Sequence, residues 1–108
     1  MSQETAYEQE FAEYMGGGYC DLVNSGTTAV FAAVGALQLP PGSEVVVPPI
    51  TDPGGAMPVA MSNLIPVVAD AAPGTFNAGA AEIEAVITEH TSAIVIAHIA
   101  GKYNKYTP

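Results

Sequence analysis

The sequence contains no arginine and no tryptophan, and its two lysines, Lys102 and Lys105, both fall in the last seven residues. Against eleven acidic side chains they leave a net charge of −9. Nucleic acids and anionic membrane surfaces are recognised through a basic footprint, so neither is an expected partner. The same scarcity raises a difficulty, because an enzyme that handles phosphates usually supplies at least one cation. The single cysteine, Cys20, rules out an internal disulfide and fits a reducing cytosol. It lies in a strand-like run and reads as a buried structural thiol rather than a nucleophile. The first ten residues, MSQETAYEQE, have neither a basic n-region nor an apolar h-region, so no secretion signal is read. No run approaches the ~20 uninterrupted apolar residues of a membrane span. A soluble cytoplasmic protein is expected.

What is present points to a packed interior. With 108 residues there is room for one domain and one modest core. A hydrophobic fraction of 49% against only 12% charged residues excludes disorder and suits strands buried on both faces. Thr5-Ala6-Tyr7-Glu8 reads as a capping box opening a helix, with Tyr7, Phe11, Tyr14 and Met15 on one side. Gly16-Gly17-Gly18 stops it. Residues 19–23 read as a short strand, and residues 26–37 as an apolar helix. Pro40-Pro41-Gly42 breaks the chain before a valine-rich strand at 44–47, which Pro48-Pro49 ends. After a loop at 50–55, residues 56–63 form an apolar segment in which Pro58 suits a first helical turn. A third strand is expected at 66–70, a turn-rich connection at 71–77, and a helix at 78–87 with Ile83, Val86 and Ile87 facing inward. The last strand is expected at 93–99. This alternation implies parallel strands joined by right-handed crossovers, an α/β fold in three layers. The tail, residues 102–108, abandons the apolar pattern; it reads equally as a polar loop and as a truncation or change of frame.

The junction Val23-Asn24-Ser25-Gly26-Thr27-Thr28-Ala29 carries the most chemistry. There a strand gives way to a helix through a Ser-Gly-Thr turn. Free amides and the positive end of the helix dipole make such a terminus an anion site. Gly26 permits close approach of a phosphate, and the hydroxyls of Ser25 and Thr27 can add hydrogen bonds. The dipole contributes only ~0.3–1 kcal/mol when exposed and up to ~2 when partly buried, so help from elsewhere is needed. The motif is neither a Walker loop nor a GxGxxG fingerprint. By itself it reads equally as a plain N-cap.

Residues 8–101 resemble the DegT-type sugar aminotransferases, members of fold type I of the pyridoxal-phosphate enzymes. The matching pieces run in order: Glu10-Phe11-Ala12-Glu13-Tyr14, Asn24-Ser25-Gly26-Thr27-Thr28-Ala29, Pro41-Gly42-Ser43-Glu44-Val45-Val46-Val47-Pro48 and Ile65-Pro66-Val67-Val68-Ala69-Asp70. They continue through Thr75-Phe76-Asn77, Ile83-Glu84-Ala85-Val86-Ile87-Thr88 and Thr91-Ser92-Ala93-Ile94-Val95 to His98 and Gly101. The resemblance implies that the chain is the N-terminal part of the large domain of such an enzyme. It implies that Gly26 and Thr27 hold the cofactor phosphate, that Ser25 shapes the turn, and that Thr51 lies beneath the pyridine ring. An aromatic residue usually follows that threonine and stacks on the ring. Asp52 stands there instead, either as an ordinary loop residue or as a polar substitute, and Pro53-Gly54-Gly55 departs from the usual small polar run.

The Schiff-base lysine and the aspartate that pairs with the pyridinium nitrogen lie further along in the family, beyond these residues. Lys102 and Lys105 sit in the deviant tail and do not suit the lysine's role, which needs a desolvated amine poised against the cofactor. Asp70, after the third strand, reads as a turn former. His98 ends the last strand on the side where α/β sheets gather their sites, and reads either as a structural histidine or as a substrate contact. His90, beside Glu89, reads as a solvated loop residue. The parent reaction implied is transfer of an amino group from glutamate or glutamine to a keto group on a nucleotide-linked sugar. Pyridoxal 5'-phosphate would be the cofactor, in a homodimer whose partner subunit completes the site. The chain itself is expected to be inactive. The alternatives are a non-catalytic α/β binding domain for a phosphorylated ligand, using Ser25-Gly26-Thr27, and a gene remnant.

Overall fold

The computed structural model describes residues 1–103. The chain runs α1 (Gln3–Tyr14), α2 (Gly26–Ala36), β1 (Glu44–Val47), a 3₁₀ turn (Pro53–Gly55), α3 (Met57–Met61), β2 (Ile65–Val68), α4 (Ala80–Glu84), β3 (Thr91–Ile94) and a second 3₁₀ turn (Ile99–Gly101). The three strands form one parallel sheet in the order β2-β1-β3. β1 is therefore central, and its three valines are almost wholly inaccessible.

Side chains alternate across a strand, so β1 serves two cores at once. Val45 and Val47 pack with Val34 of α2, Val59 of α3 and Leu64. Val46 points the other way, to Ala69, Ala78 and Ile83 of α4. Helices thus cover both faces of a small parallel sheet, the three-layer arrangement expected from a continuously apolar strand. Pro66 sits in the outer strand β2, where a missing ladder donor is tolerated. β3 takes up an irregularity opposite Glu44 and Val45. Beyond the strand proper, the Val95 amide still donates to the Val46 carbonyl at 2.8 Å.

Several local expectations need correction. Ser2, not Thr5, caps α1, accepting from the Thr5 amide at 3.2 Å. Glu8 does not reach back to the cap: its Oε1 accepts from the Leu22 amide at 2.8 Å, binding the following segment to the helix. None of α1 is buried; Tyr7 and Phe11 stack on each other with ring centroids 5.8 Å apart. Residues 19–23 form no strand, because the sheet places no neighbouring strand beside them and an extended segment without a ladder partner is only a loop. Cys20 is accordingly half-buried rather than enclosed in a strand. α3 and α4 are single short turns; α4 gives way to tighter three-residue hydrogen bonding at Val86 and Ile87. β2 and β3 stop at Val68 and Ile94, within a residue of where β1 runs out of partners. Lys105 and most of the divergent tail lie outside the described residues.

Candidate functional site

Ser25 adopts extended backbone angles and caps α2, its Oγ accepting from the Thr28 amide at 3.1 Å. Thr28 Oγ1 lies 3.0 Å from the same oxygen and donates to Asn24 Oδ1 at 2.7 Å. Asn24, Ser25 and Thr28 thus lock the helix entrance. The amides of Gly26 and Thr27 precede any possible intrahelical carbonyl partner, so they face outward from the positive end of the helix. A β-carbon at Gly26 would meet nothing within 4 Å.

The second component comes from the loop after β1. Asp52 Oδ1 accepts from the Gly54 amide at 2.8 Å and caps the 3₁₀ turn that Pro53 opens. This gives Asp52 a loop-building role, and the cap holds its carboxylate beside the turn. Gly54 is buried because it is pressed against the start of α2: a β-carbon there would stand 2.6 Å from Thr27 Oγ1 and 3.3 Å from Thr27 Cα. Gly55 is similarly crowded by the side chain of Thr51. The fold therefore gathers Ser25, Gly26, Thr27, Thr51 and Asp52, which are distant in sequence, at one junction. Two residues to which the sequence assigned no site role complete it: Asn24 in the cap network, and Gly54 as the contact point.

His98 follows β3, as Thr51 follows β1. In a parallel sheet both lie at the carboxyl end, the side where α/β folds place ligands. His98 is exposed and meets Tyr103 edge-on, with ring centroids 5.6 Å apart. Beside it, residues 72–79 and 99–103 enclose a cavity of about 590 Å³ lined by Thr75, Phe76, Asn77, Ile99, Lys102 and Tyr103, among others. Asp70 accepts from the Ala71 amide and turns the chain after β2. His90 is solvated, 3.5 Å from Glu89. Among the described residues, no group of three or more His, Cys, Asp or Glu could hold a metal ion, and no helix is long and apolar enough to cross a membrane.

A helix-flanked parallel sheet with an open helix N-terminus at its carboxyl end is the architecture of the fold type I aminotransferases. The chain belongs to the DegT/DnrJ/EryC1/StrS aminotransferase family, whose sequence model matches residues 2–106. It is 41% identical to GDP-perosamine synthase from Caulobacter vibrioides over 96 residues, covering 89% of this chain and 26% of the relative. It superimposes on the aminotransferase from Psychrobacter cryohalolentis with a TM-score of 0.88 at 35% identity, covering 95% of this chain and 26% of that one. It also matches GDP-4-keto-6-deoxy-D-mannose-3-dehydratase from E. coli, solved with bound hydrated PLP, with a TM-score of 0.78 at 27% identity, covering 87% and 26%. The chain spans about a quarter of the length of these relatives.

Proposed function

We propose that this chain is the cofactor-seating part of the large domain of a pyridoxal-phosphate-dependent sugar aminotransferase. The observation that carries the reading is the convergence of Gly54 on Thr27 at the open N-terminus of α2. The donor set suits a phosphate: two outward amides, the Thr27 hydroxyl and the helix dipole, with no side chain at Gly26 to obstruct it. When bound, the cofactor supplies an electron sink for moving an amino group between an amino acid and a keto sugar. The chain's own residues bind and orient. Gly26 and Thr27 hold the phosphate, Ser25 keeps the turn open, Thr51 lies beneath the ring and His98 meets the substrate.

The parent substrate is a nucleotide-linked keto sugar, with glutamate or glutamine as donor. The scarcity of cations supports a homodimer in which the partner subunit completes the phosphate seat, because no lysine or arginine occurs before Lys102. The lone cysteine, Cys20, suits a cytoplasmic enzyme.

Calorimetry with pyridoxamine 5'-phosphate and with pyridoxamine tests this reading, since neither ligand can react with a stray lysine. The phosphorylated form should bind the 108-residue chain and lose affinity in Gly26→Val, while pyridoxamine should not bind. The chain alone should not transaminate. Equal binding of the two ligands would remove the phosphate seat from the proposal, and measurable turnover would overturn the inactivity of this piece.

A further inference from the structure

Among the described residues, Asn77 is the buried polar side chain, only 8% exposed. It follows the Thr75 turn in the connection between β2 and α4, and the Thr75 hydroxyl donates to both the Ala72 and Asn77 carbonyls. Its side chain does nothing for its own loop. Oδ1 accepts from the Ile99 amide at 3.1 Å, and Nδ2 donates to the Lys102 carbonyl at 3.1 Å. Those two partners are the first residue of the second 3₁₀ turn and the residue just past its end. Inside that turn Ala100 takes a left-handed conformation, φ 53°, which is unfavourable for a residue with a β-carbon and persists only when neighbouring bonds hold it. A buried amide left unpaired is costly, so both ends of the clamp are held.

We propose that Asn77 is a positioning residue for His98 and Tyr103. By gripping the turn at Ile99 and at Lys102, it sets where the chain leaves β3 and where it re-emerges. The two rings that meet edge-on, His98 and Tyr103, flank the clamped stretch on either side. The same grip shapes one wall of the 590 Å³ cavity, to which Asn77, Ile99, Lys102 and Tyr103 all contribute. The functional sense of this placement rests on the reading of His98 as a substrate contact.

The test is nuclear magnetic resonance on the whole 108-residue chain without substrate, so its outcome is separable from that of the transamination reading. In Asn77→Ala, exchange of the Ile99 amide should accelerate about tenfold, the upper range for one lost hydrogen bond. The His98 ring protons should also lose the ring-current shift from Tyr103. Asn77→Asp keeps an acceptor for Ile99 and faces the Lys102 carbonyl with a second acceptor. It should keep the Ile99 amide slow and lose the Tyr103 contact. The Val95 amide, bonded to β1, should stay protected in both variants. Unchanged Ile99 and His98 signals in Asn77→Ala would overturn the proposal. So would loss of Val95 protection, which would make Asn77 a residue of the whole fold, or identical behaviour of the two variants.

Discussion

Gly54 touches Thr27 so closely that a β-carbon on the glycine would lie 2.6 Å from the threonine Oγ1 and 3.3 Å from its Cα. The hydroxyl could rotate away, but the backbone contact could not be relieved without shifting α2 or the 3₁₀ turn. Gly54→Ala should therefore destabilise the chain by about 1–3 kcal/mol, the usual cost of forcing extra atoms into a packed site. Because the shift falls on Thr27, affinity for pyridoxamine 5'-phosphate should drop roughly fivefold or more. Urea unfolding and calorimetry on the same variant check the two effects, and Gly74→Ala is not a suitable control because its φ is 74°.

Asp52 should behave as a cap. Asp52→Ala leaves the Gly54 amide without its acceptor and should cost about 1 kcal/mol, whereas Asp52→Asn keeps an oxygen there and should cost less than half as much. If instead the two substitutions are equally harmless in denaturation while both weaken cofactor binding, Asp52 belongs to the ligand and not to the turn.

Val47 and Val68 face each other across the β1–β2 pair yet differ in surroundings: Val47 is fully enclosed and Val68 is 60% exposed. Val47→Ala should cost about 2–3 kcal/mol, from two buried methyl-sized groups and the space they leave. Val68→Ala should stay within about 0.5 kcal/mol. Chemical denaturation of both variants gives the comparison directly.

Glu8 ties the segment after α1 to the helix through the Leu22 amide. Glu8→Ala should leave the sheet intact but speed proteolytic cleavage near Tyr19, whose side chain is fully exposed. Glu8→Gln retains an acceptor and should protect the segment nearly as well as the native residue. Limited digestion with chymotrypsin, followed by mass spectrometry, distinguishes the three chains.

The contrast between what could and could not be read from residue order follows the range of the interactions involved. β1 was legible to the residue because a valine run between Gly42 and Pro48 allows little else. α2 was equally plain, since Ser25 caps it with a local bond. Residues 19–23 have the apolar character of a strand, but a strand exists only with a neighbour, and pairing is not written into a five-residue pattern. The cap expected at Thr5 falls to Ser2, three residues earlier, because a serine hydroxyl suits the task as well. Ser25, Gly26 and Thr27 are legible as a helix terminus, Thr51 and Asp52 only through a family likeness, and the meeting of the two groups depends on Gly54. That glycine carries no signal of its own, because what matters is the space it leaves for Thr27. Asn77 was hidden for a similar reason: in a turn-rich stretch an asparagine looks like a loop former, and its partners lie 22 and 25 residues away.

The sheet order β2-β1-β3 has a consequence in time. The proposed cofactor seat draws on residues 24–28 and 51–55, joined through α2 packing on the turn that follows β1. The ground that carries His98 waits for β3 to return beside β1, pairing Glu44 with Thr91 across the segment that holds α3, β2 and α4. Closing such a loop carries an entropic cost before its contacts form, so non-local parallel pairing is slow. A nascent chain would therefore complete the proposed anion seat while the ground that carries His98 was still unformed.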